Sequence, residues 1–157
     1  MIKGIIIAGE GGQGIKLIAH TLANILVDLG HDITLTYEYD AAVRGGKIIG
    51  ILNYSDKKVE NPIVETPDLF LKLSSLGGDY PAKKIICETG LCNQEQIPFS
   101  KIAAEKFGNK IMMNMIALGR LMRFIDINPD DVDLKKYLPP KFVEKNIEAI
   151  KLGYDYK

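Results

Sequence analysis

Tryptophan is absent from this 157-residue sequence, and cysteine occurs twice, at Cys87 and Cys92. So few cysteines exclude the dense disulfide framework of small secreted domains and favour a cytoplasmic location. The two form a C-x4-C pair without the further thiols that an iron–sulfur cluster needs. A zinc site also lacks ligands, because His20 and His31 lie far away in the sequence. We therefore expect structural cysteines, ordinary histidines and no metal site.

The sequence also lacks a net charge and a long apolar run. Lysine and arginine total 20, as do aspartate and glutamate, so no basic excess draws the whole molecule to nucleic acid. No apolar stretch approaches the roughly 20 residues that span a bilayer. Glu10 and the neighbouring glycines cut the first apolar run short, so it lacks the form of a signal peptide. We expect binding to neither nucleic acid nor membranes.

What is present indicates one globular domain over residues 1–157, with 46% apolar and 25% charged residues. Strand and helix alternate at the front of the chain, which predicts an α/β fold: a Rossmann-like, three-layer, doubly wound, mostly parallel sheet with a helical C-terminal third. Periodicity predicts strands at 3–9, 32–37, 47–53, 68–73 and 83–87, and helices at 14–30, 100–107, 110–124, 130–137 and 141–152.

One connection conflicts with regular α/β winding. Residues 74–81 contain two glycines and a proline and have room for one helical turn at most. A parallel crossover through a helix needs a dozen residues or more. Either the strands at 68–73 and 83–87 are not parallel neighbours joined by a full helix, or one of these strands is wrongly placed.

The most informative segment is Gly9-Glu10-Gly11-Gly12-Gln13-Gly14. It matches G-x-G-x-x-G between a predicted strand and a predicted helix, which is typical of a dinucleotide site with phosphate at the helix N-terminus. Glu38, at the end of the second strand, is an acid of the kind that binds a ribose hydroxyl. These features alone indicate a nucleotide-binding protein of the NAD-dependent type.

Two observations weaken that interpretation. Glu10 lies inside the loop, and two like unit charges about 4 Å apart repel by roughly 4 kcal/mol at an effective dielectric near 20, unless the side chain turns outward. The chain also has no segment resembling the catalytic half of a dehydrogenase. The alternative for the glycines is a purely structural strand-to-helix turn.

Beyond the loop, the sequence resembles the gamma subunit, or gamma domain, of 2-oxoacid:ferredoxin oxidoreductases that act on pyruvate, 2-oxoglutarate or ketoisovalerate. The resemblance covers nearly the whole chain, and Gly-Gly-Gln-Gly followed by Arg-Gly-Gly is far more specific than a lone glycine loop. The matching residues are Gly11-Gly12-Gln13-Gly14, residues 39–46 with Tyr39 and Arg44-Gly45-Gly46, Ser55-Asp56, Pro62, Asp68, Asn114, Ala117-Leu118-Gly119, Asn146, Ala149 and Gly153-Tyr154.

The resemblance implies an accessory subunit of an enzyme that couples oxidative decarboxylation of a 2-oxoacid to coenzyme A acylation and ferredoxin reduction. Thiamine diphosphate, Mg and [4Fe-4S] clusters would reside mainly on the other subunits (alpha, beta and a ferredoxin-like delta). This chain would be Rossmann-like, would help assemble the complex and would shape the coenzyme A side of the site. We assign no catalytic residue; the candidate cofactor-binding residues are Gly9, Gly11, Gly12, Gln13, Gly14, Tyr39, Arg44, Gly45, Gly46 and Asn114.

Four features depart from the family pattern. Asp40 stands where glycine is usual, Ala42 where glutamate is common, and Glu10 where a small or apolar residue is typical. The stretch after Leu73 is also short. These departures indicate a divergent or shortened member and leave the oxoacid unassigned.

Several residues have alternative interpretations. Arg44, flanked by glycines, can reach a phosphate or carboxylate, or pair with an acid of this chain or of a partner. Met115 and Met122, a heptad apart, are expected in the core, whereas one of the adjacent Met112 and Met113 is expected at an interface with another subunit. Asn114, inside an apolar helix, either bonds to backbone or contacts a ligand.

Three hypotheses follow from these features. The first is an obligate subunit without catalytic groups of its own, which the Arg-Gly-Gly segment favours. The second is a stand-alone NAD- or nucleotide-binding protein. The third is a purely structural homodimer with a large self-associating apolar surface.

Overall fold

The computed structural model describes residues 2–40, 45–60 and 66–157. The chain divides into two compact units, Met1–Ile97 and Pro98–Lys157, and the prediction of one domain stays a prediction. The first unit contains β1 (Lys3–Glu10), α1 (Ile15–Asp28), β2 (Asp32–Tyr39), β3 (Lys47–Ser55), β4 (Leu69–Lys72), β5 (Lys84–Glu88) and β6 (Glu95–Ile97). The second contains α2 (Phe99–Phe107), α3 (Met113–Phe124) and α4 (Val143–Asp155).

The first unit is built on a six-stranded sheet in the order β2-β3-β1-β4-β5-β6. The pairings β1–β4, β4–β5 and β5–β6 are parallel, and β3 pairs antiparallel with both β1 and β2. The predicted α/β fold with a mostly parallel sheet and a helical C-terminal part is therefore confirmed. β1, α1 and β2 form the expected strand–helix–strand unit, but β3 lies between its two strands.

Helix α1 covers one face of this sheet. Its apolar residues recur every three or four positions, which places Ile15, Ile18, Leu22 and Ile25 on one buried stripe. Gly50 of β3 allows the close approach, since a Cβ atom there would lie 3.3 Å from the Cβ of Ala19. The helix ends as predicted, because Gly30 takes a φ of 93° that reverses the chain.

The opposite face of the sheet carries a second apolar cluster of Ile6, Ala8, Ile49 and Phe70. The segment between β4 and β5 lies over it: Tyr80 packs edge-on against Phe70, with ring centroids 5.3 Å apart. That segment holds one 3₁₀ turn, Ser75–Gly77. β4 and β5 are therefore parallel neighbours without a full helix between them, which was the first of the two alternatives.

The second unit differs from the prediction at several places. In place of the helix predicted at 130–137 there are two short 3₁₀ turns, Pro129–Asp131 and Leu134–Lys136, because Val132 between them has an extended backbone with φ −127° and ψ 136°. Helix α2 begins at Phe99, so Pro98 rather than Ser100 occupies its N-cap position. Gly108 closes that helix with a φ of 66°, as predicted. Within the described part of the chain, no helix has the length and apolar content needed to cross a membrane.

The methionines lie mainly in the core. Met115 and Met122 are buried, as predicted, but so are both Met112 and Met113, at 8% and 3% exposure. The expectation that one of this pair faces another subunit is therefore wrong. The physical reason is that Met112 ends the 3₁₀ turn Lys110–Met112 and Met113 begins α3, so the two do not follow one continuous helical periodicity.

The two cysteines form a disulfide, with Cα atoms 6.1 Å apart, which the sequence did not predict. Cys87 lies near the end of β5, and the chain reverses through Gly90, whose φ is 87°. This reversal returns Cys92 to Cys87. The bridge closes one short loop, so it is not the multiple cross-linking that the low cysteine count excludes.

Helices α3 and α4 cross at two glycines. A Cβ atom on Gly119 would overlap the carbonyl oxygen of Ile150, and one on Gly153 would overlap the carbonyl oxygen of Ile116. The backbones therefore touch without intervening side chains. Both glycines are among the residues that carry the family resemblance, and the helix crossing gives a physical reason for each.

Replacing Gly119 with alanine should separate these helices. We expect Gly119→Ala to lower the free energy of unfolding by about 3 kcal/mol, because the overlap with a backbone carbonyl outweighs alanine's better helix propensity. Glu148→Ala, at an exposed position of α4, is the matched control and should change stability by less than about 0.5 kcal/mol. Chemical denaturation measures both values, and equal stabilities would contradict the proposed backbone contact.

Candidate functional site

The glycine loop joins β1 to α1 as predicted. Gly12 and Gly14 have φ angles of 93° and 81°, which glycine adopts without strain. The Gln13 N–H donates to the Glu10 carbonyl across 3.2 Å, which closes the turn. Among the described residues, no atom would lie within 4 Å of a Cβ atom on Gly12, so none of them fills the space beside the middle of the loop.

In the structure this loop contacts the segment Gly45-Gly46. The Gly11 N–H donates to the Gly46 carbonyl across 2.9 Å. A Cβ atom on Gly11 would lie 2.9 Å from the Cα of Gly45, so this contact requires glycine. Two segments that the sequence placed far apart therefore form one site. Arg44, the predicted site residue directly before Gly45, lies outside the described residues.

Gln13 ties the loop to the neighbouring strand. Its side-chain oxygen accepts the Glu10 N–H at 2.9 Å, and its side-chain nitrogen donates to the Leu73 carbonyl at 2.9 Å. Both ends of the amide are therefore used within the chain. A Cβ atom on Gly9 would overlap this amide, which explains the first glycine of the motif. Gln13 thus positions the loop.

The start of α1 is suited to an anion. Among the described residues, no side chain caps this helix and no acidic residue lies in its first turn. Its first N–H groups therefore point outward with the positive end of the helix dipole. Gly14, at the N-cap, and Gly12 add backbone without side chains. This arrangement can hold a phosphate by backbone N–H donation.

Lys16 adds a cation to the first turn, and the sequence analysis did not identify it. Its ammonium lies 5.5 Å from the ring centroid of Tyr37 and 4.9 Å from that of Tyr39. Burial raises the pKa of Tyr37, so its phenol stays neutral beside the loop. Tyr39, a predicted site residue, is 57% exposed at the end of β2. A lysine just after the last glycine of the motif was the signal that could have identified Lys16.

The two acids considered in the sequence lie away from the helix N-terminus. Glu10 pairs in register with Lys47, and Glu38 with Ile49. Because side chains alternate along a strand, both point to the sheet face opposite α1. Glu10 therefore does not oppose a phosphate at the loop. Glu38 lies on β2, which β3 separates from β1, so it is not placed to bind a ribose as in a dinucleotide site.

Three further side chains were considered in the sequence. Asn114 is 7% exposed on α3 of the second unit. His20 is exposed on α1, and the Nδ1 atom of His31 lies 3.0 Å from Asp56 Oδ1. Over residues 2–40, 45–60 and 66–157, no group of three or more His, Cys, Asp or Glu side chains could hold a metal ion.

Comparisons with known proteins agree on one family. Residues 4–156 match the family model described as pyruvate ferredoxin/flavodoxin oxidoreductase. The chain is 28% identical to a 2-oxoglutarate synthase subunit KorC from Archaeoglobus fulgidus, over 95% of this chain and 84% of that protein.

Two solved structures share the fold. A keto/oxoacid ferredoxin oxidoreductase gamma subunit from Geobacter sulfurreducens superposes with a TM-score of 0.76 at 20% identity, covering 99% of this chain and 95% of that one. A 2-oxoglutarate:ferredoxin oxidoreductase from Magnetococcus marinus superposes with a TM-score of 0.72 at 23% identity; the match covers 98% of this chain but 30% of that one.

The Gln13 contacts generate a stability prediction. Gln13→Ala removes two hydrogen bonds and leaves the Leu73 carbonyl without this donor, so we expect the free energy of unfolding to fall by about 2 kcal/mol. Asn93→Ala, at an exposed amide of the same unit, should change it by less than about 0.5 kcal/mol. Urea denaturation of the two variants measures the difference. Equal effects would show that the Gln13 amide does not hold the loop.

Proposed function

Because the chain belongs to the pyruvate ferredoxin/flavodoxin oxidoreductase family, we propose that it is the accessory gamma subunit of a 2-oxoacid:ferredoxin oxidoreductase. The complex oxidatively decarboxylates a 2-oxoacid, transfers the acyl group to coenzyme A and reduces ferredoxin. The Archaeoglobus fulgidus relative and the Geobacter sulfurreducens gamma subunit support this assignment. The chain itself contributes binding and assembly rather than catalytic groups.

Within this proposal, the oxoacid is 2-oxoglutarate. The support is the Archaeoglobus fulgidus relative, a 2-oxoglutarate synthase subunit that matches over 95% of this chain. A pyruvate oxidoreductase subunit from Thermotoga maritima shares the fold at 19% identity, which carries no information on substrate. The assay described below distinguishes the two oxoacids.

The role of this chain is to hold the phosphates of coenzyme A. The observation that carries this proposal is the uncapped N-terminus of α1, with Gly12 and Gly14 beside it and Lys16 in its first turn. Phosphate is the part of coenzyme A that such donors bind. The Magnetococcus marinus enzyme, of which a part resembles this chain, was solved with coenzyme A and succinyl-CoA bound.

The other cofactors of the proposed complex belong to other subunits. The two cysteines of the chain are joined to each other, so they do not fit an iron–sulfur cluster. We propose that alpha, beta and ferredoxin-like delta subunits carry thiamine diphosphate, Mg and the clusters. We also propose a cytoplasmic location, because coenzyme A and ferredoxin are intracellular reactants.

Isolation of the complex tests the subunit assignment. Anaerobic purification of the tagged chain from its native host should recover larger partners together with thiamine diphosphate and iron. The eluate should reduce ferredoxin on addition of coenzyme A and 2-oxoglutarate, and much more slowly with pyruvate. Recovery of the chain alone, or with copies of itself and no cofactor, would overturn the assignment; activity with pyruvate alone would overturn only the choice of oxoacid.

Lys16 provides the test of the phosphate site. In the purified complex, Lys16→Met should raise the KM for coenzyme A about tenfold through loss of one charged contact, with little change in kcat or in the KM for the oxoacid. Lys101→Met, at an exposed position of α2, is the matched control and should leave all three values unchanged. An unaltered KM for coenzyme A in Lys16→Met would contradict the proposal that this loop binds the phosphates of coenzyme A.

A further inference from the structure

The first unit contains a cavity on the sheet face opposite α1. Its volume is about 430 Å³, within the range of small-molecule sites. Phe70, Lys72 and Ile85 form its floor, because the registers Phe70↔Ile85 and Lys72↔Cys87 place these side chains on one face of the sheet. Asp79 and Tyr80 form one wall, and residues 90–94 form the other.

Lys72 provides a buried cation at the floor. Its side chain is 9% exposed, and its ammonium lies 2.8 Å from Asp79 Oδ1. Asp79 is 93% exposed, so this carboxylate can turn into solvent at little cost. An ammonium group has three N–H donors, and Asp79 is its one hydrogen-bond acceptor among the residues that the structure describes. Lys72 can therefore bind a second anion or exchange Asp79 for one.

Both apolar and polar groups line the cavity around this cation. Phe70 and Tyr80 meet edge-to-face, and Ile85 and Leu91 add aliphatic surface. Burial, with a smaller effect from the charge of Glu38, raises the pKa of Tyr80, so its phenol adds no negative charge. These side chains give an apolar body a surface to pack against beside the cation.

The loop that forms the second wall is held in place. The Gln94 side-chain oxygen accepts the Ile85 N–H, and the Gln96 side chain accepts the Gly90 N–H while donating to the Cys92 carbonyl, at 2.8–2.9 Å each. The Cys87–Cys92 disulfide anchors the same loop to β5. The cavity is therefore largely preformed, which lowers the ordering cost of binding.

We propose that this cavity binds a small monocarboxylate with a flat apolar body. The carboxylate would contact Lys72, and the body would pack against Phe70 and Tyr80. A monoanion is favoured over phosphate because the single buried ammonium, once Asp79 has turned into solvent, balances one negative charge but not two. The site is separate from the glycine loop and independent of the function proposed above.

Titration of the full-length chain with phenylacetate tests this site. We expect saturable binding, with amide NMR shifts concentrated at Gly90, Leu91 and Gln94. Phenylacetamide, which is neutral and of the same shape, should bind at least about tenfold more weakly, and inorganic phosphate should leave these amides unshifted. Phenylacetate shifts confined to Gly12 and Gly14, or equal binding of the neutral amide, would overturn the proposal.

Two substitutions with opposite expected effects make the test sharper. Lys72→Met should weaken phenylacetate binding at least about tenfold, and Asp79→Asn should strengthen it severalfold by removing the competing carboxylate. Lys83→Met is the matched control, because Lys83 also pairs with an aspartate, Asp68, but is 62% exposed and lies outside the cavity. This variant should bind phenylacetate with the same affinity as the unmodified chain. Unchanged affinity in both Lys72→Met and Asp79→Asn would exclude Lys72 as the anion-binding group.

Discussion

The contact between Gly11 and the Gly45–Gly46 segment is the constraint on which the candidate site depends. The Gly11 N–H donates to the Gly46 carbonyl, and no side chain fits between the two backbones. This contact fixes the path of the loop that follows β1, and with it the position of the N-terminus of α1. The Gln13 amide fixes the same loop from the other side by binding the Leu73 carbonyl. Donors held in this way need little reorganisation when an anion arrives.

Much of the first unit could be predicted because its signals are local. The isoleucine run of β1, the glycine loop and the stripe of α1 each lie within one stretch of sequence, and the structure contains all three. The position of β3 was not predictable in this way. The sequence predicts a strand at 47–53, but it does not show that this strand pairs with β1 and separates it from β2. That arrangement depends on contacts between distant residues.

The same limit applies to the site. Gly11 and Gly45 could be selected from the sequence, but their contact could not, because it depends on how two loops fold against each other. Lys72 was overlooked since it reads as part of an apolar strand, and its partner Asp79 lies in a segment without periodicity. Gln13 was selected as a candidate binding residue, but its two hydrogen bonds within the chain could not be read from the sequence. The sequence therefore indicates which residues belong to the loop, but not which contacts their backbone and side chains make.

The position of β3 also bears on how the sheet forms. β2 and β3 pair as a hairpin between neighbouring segments, whereas Lys3 of β1 must find Tyr54, and Ile5 must find Leu69. β1 therefore stays unpaired along both edges until β3 and β4 have been synthesised. During that interval an isoleucine-rich strand with open edges is a template for pairing with other chains. Helix α1 directly follows β1 in the chain, so it is synthesised before β3 and β4 and is the first element available to cover the apolar face of this strand.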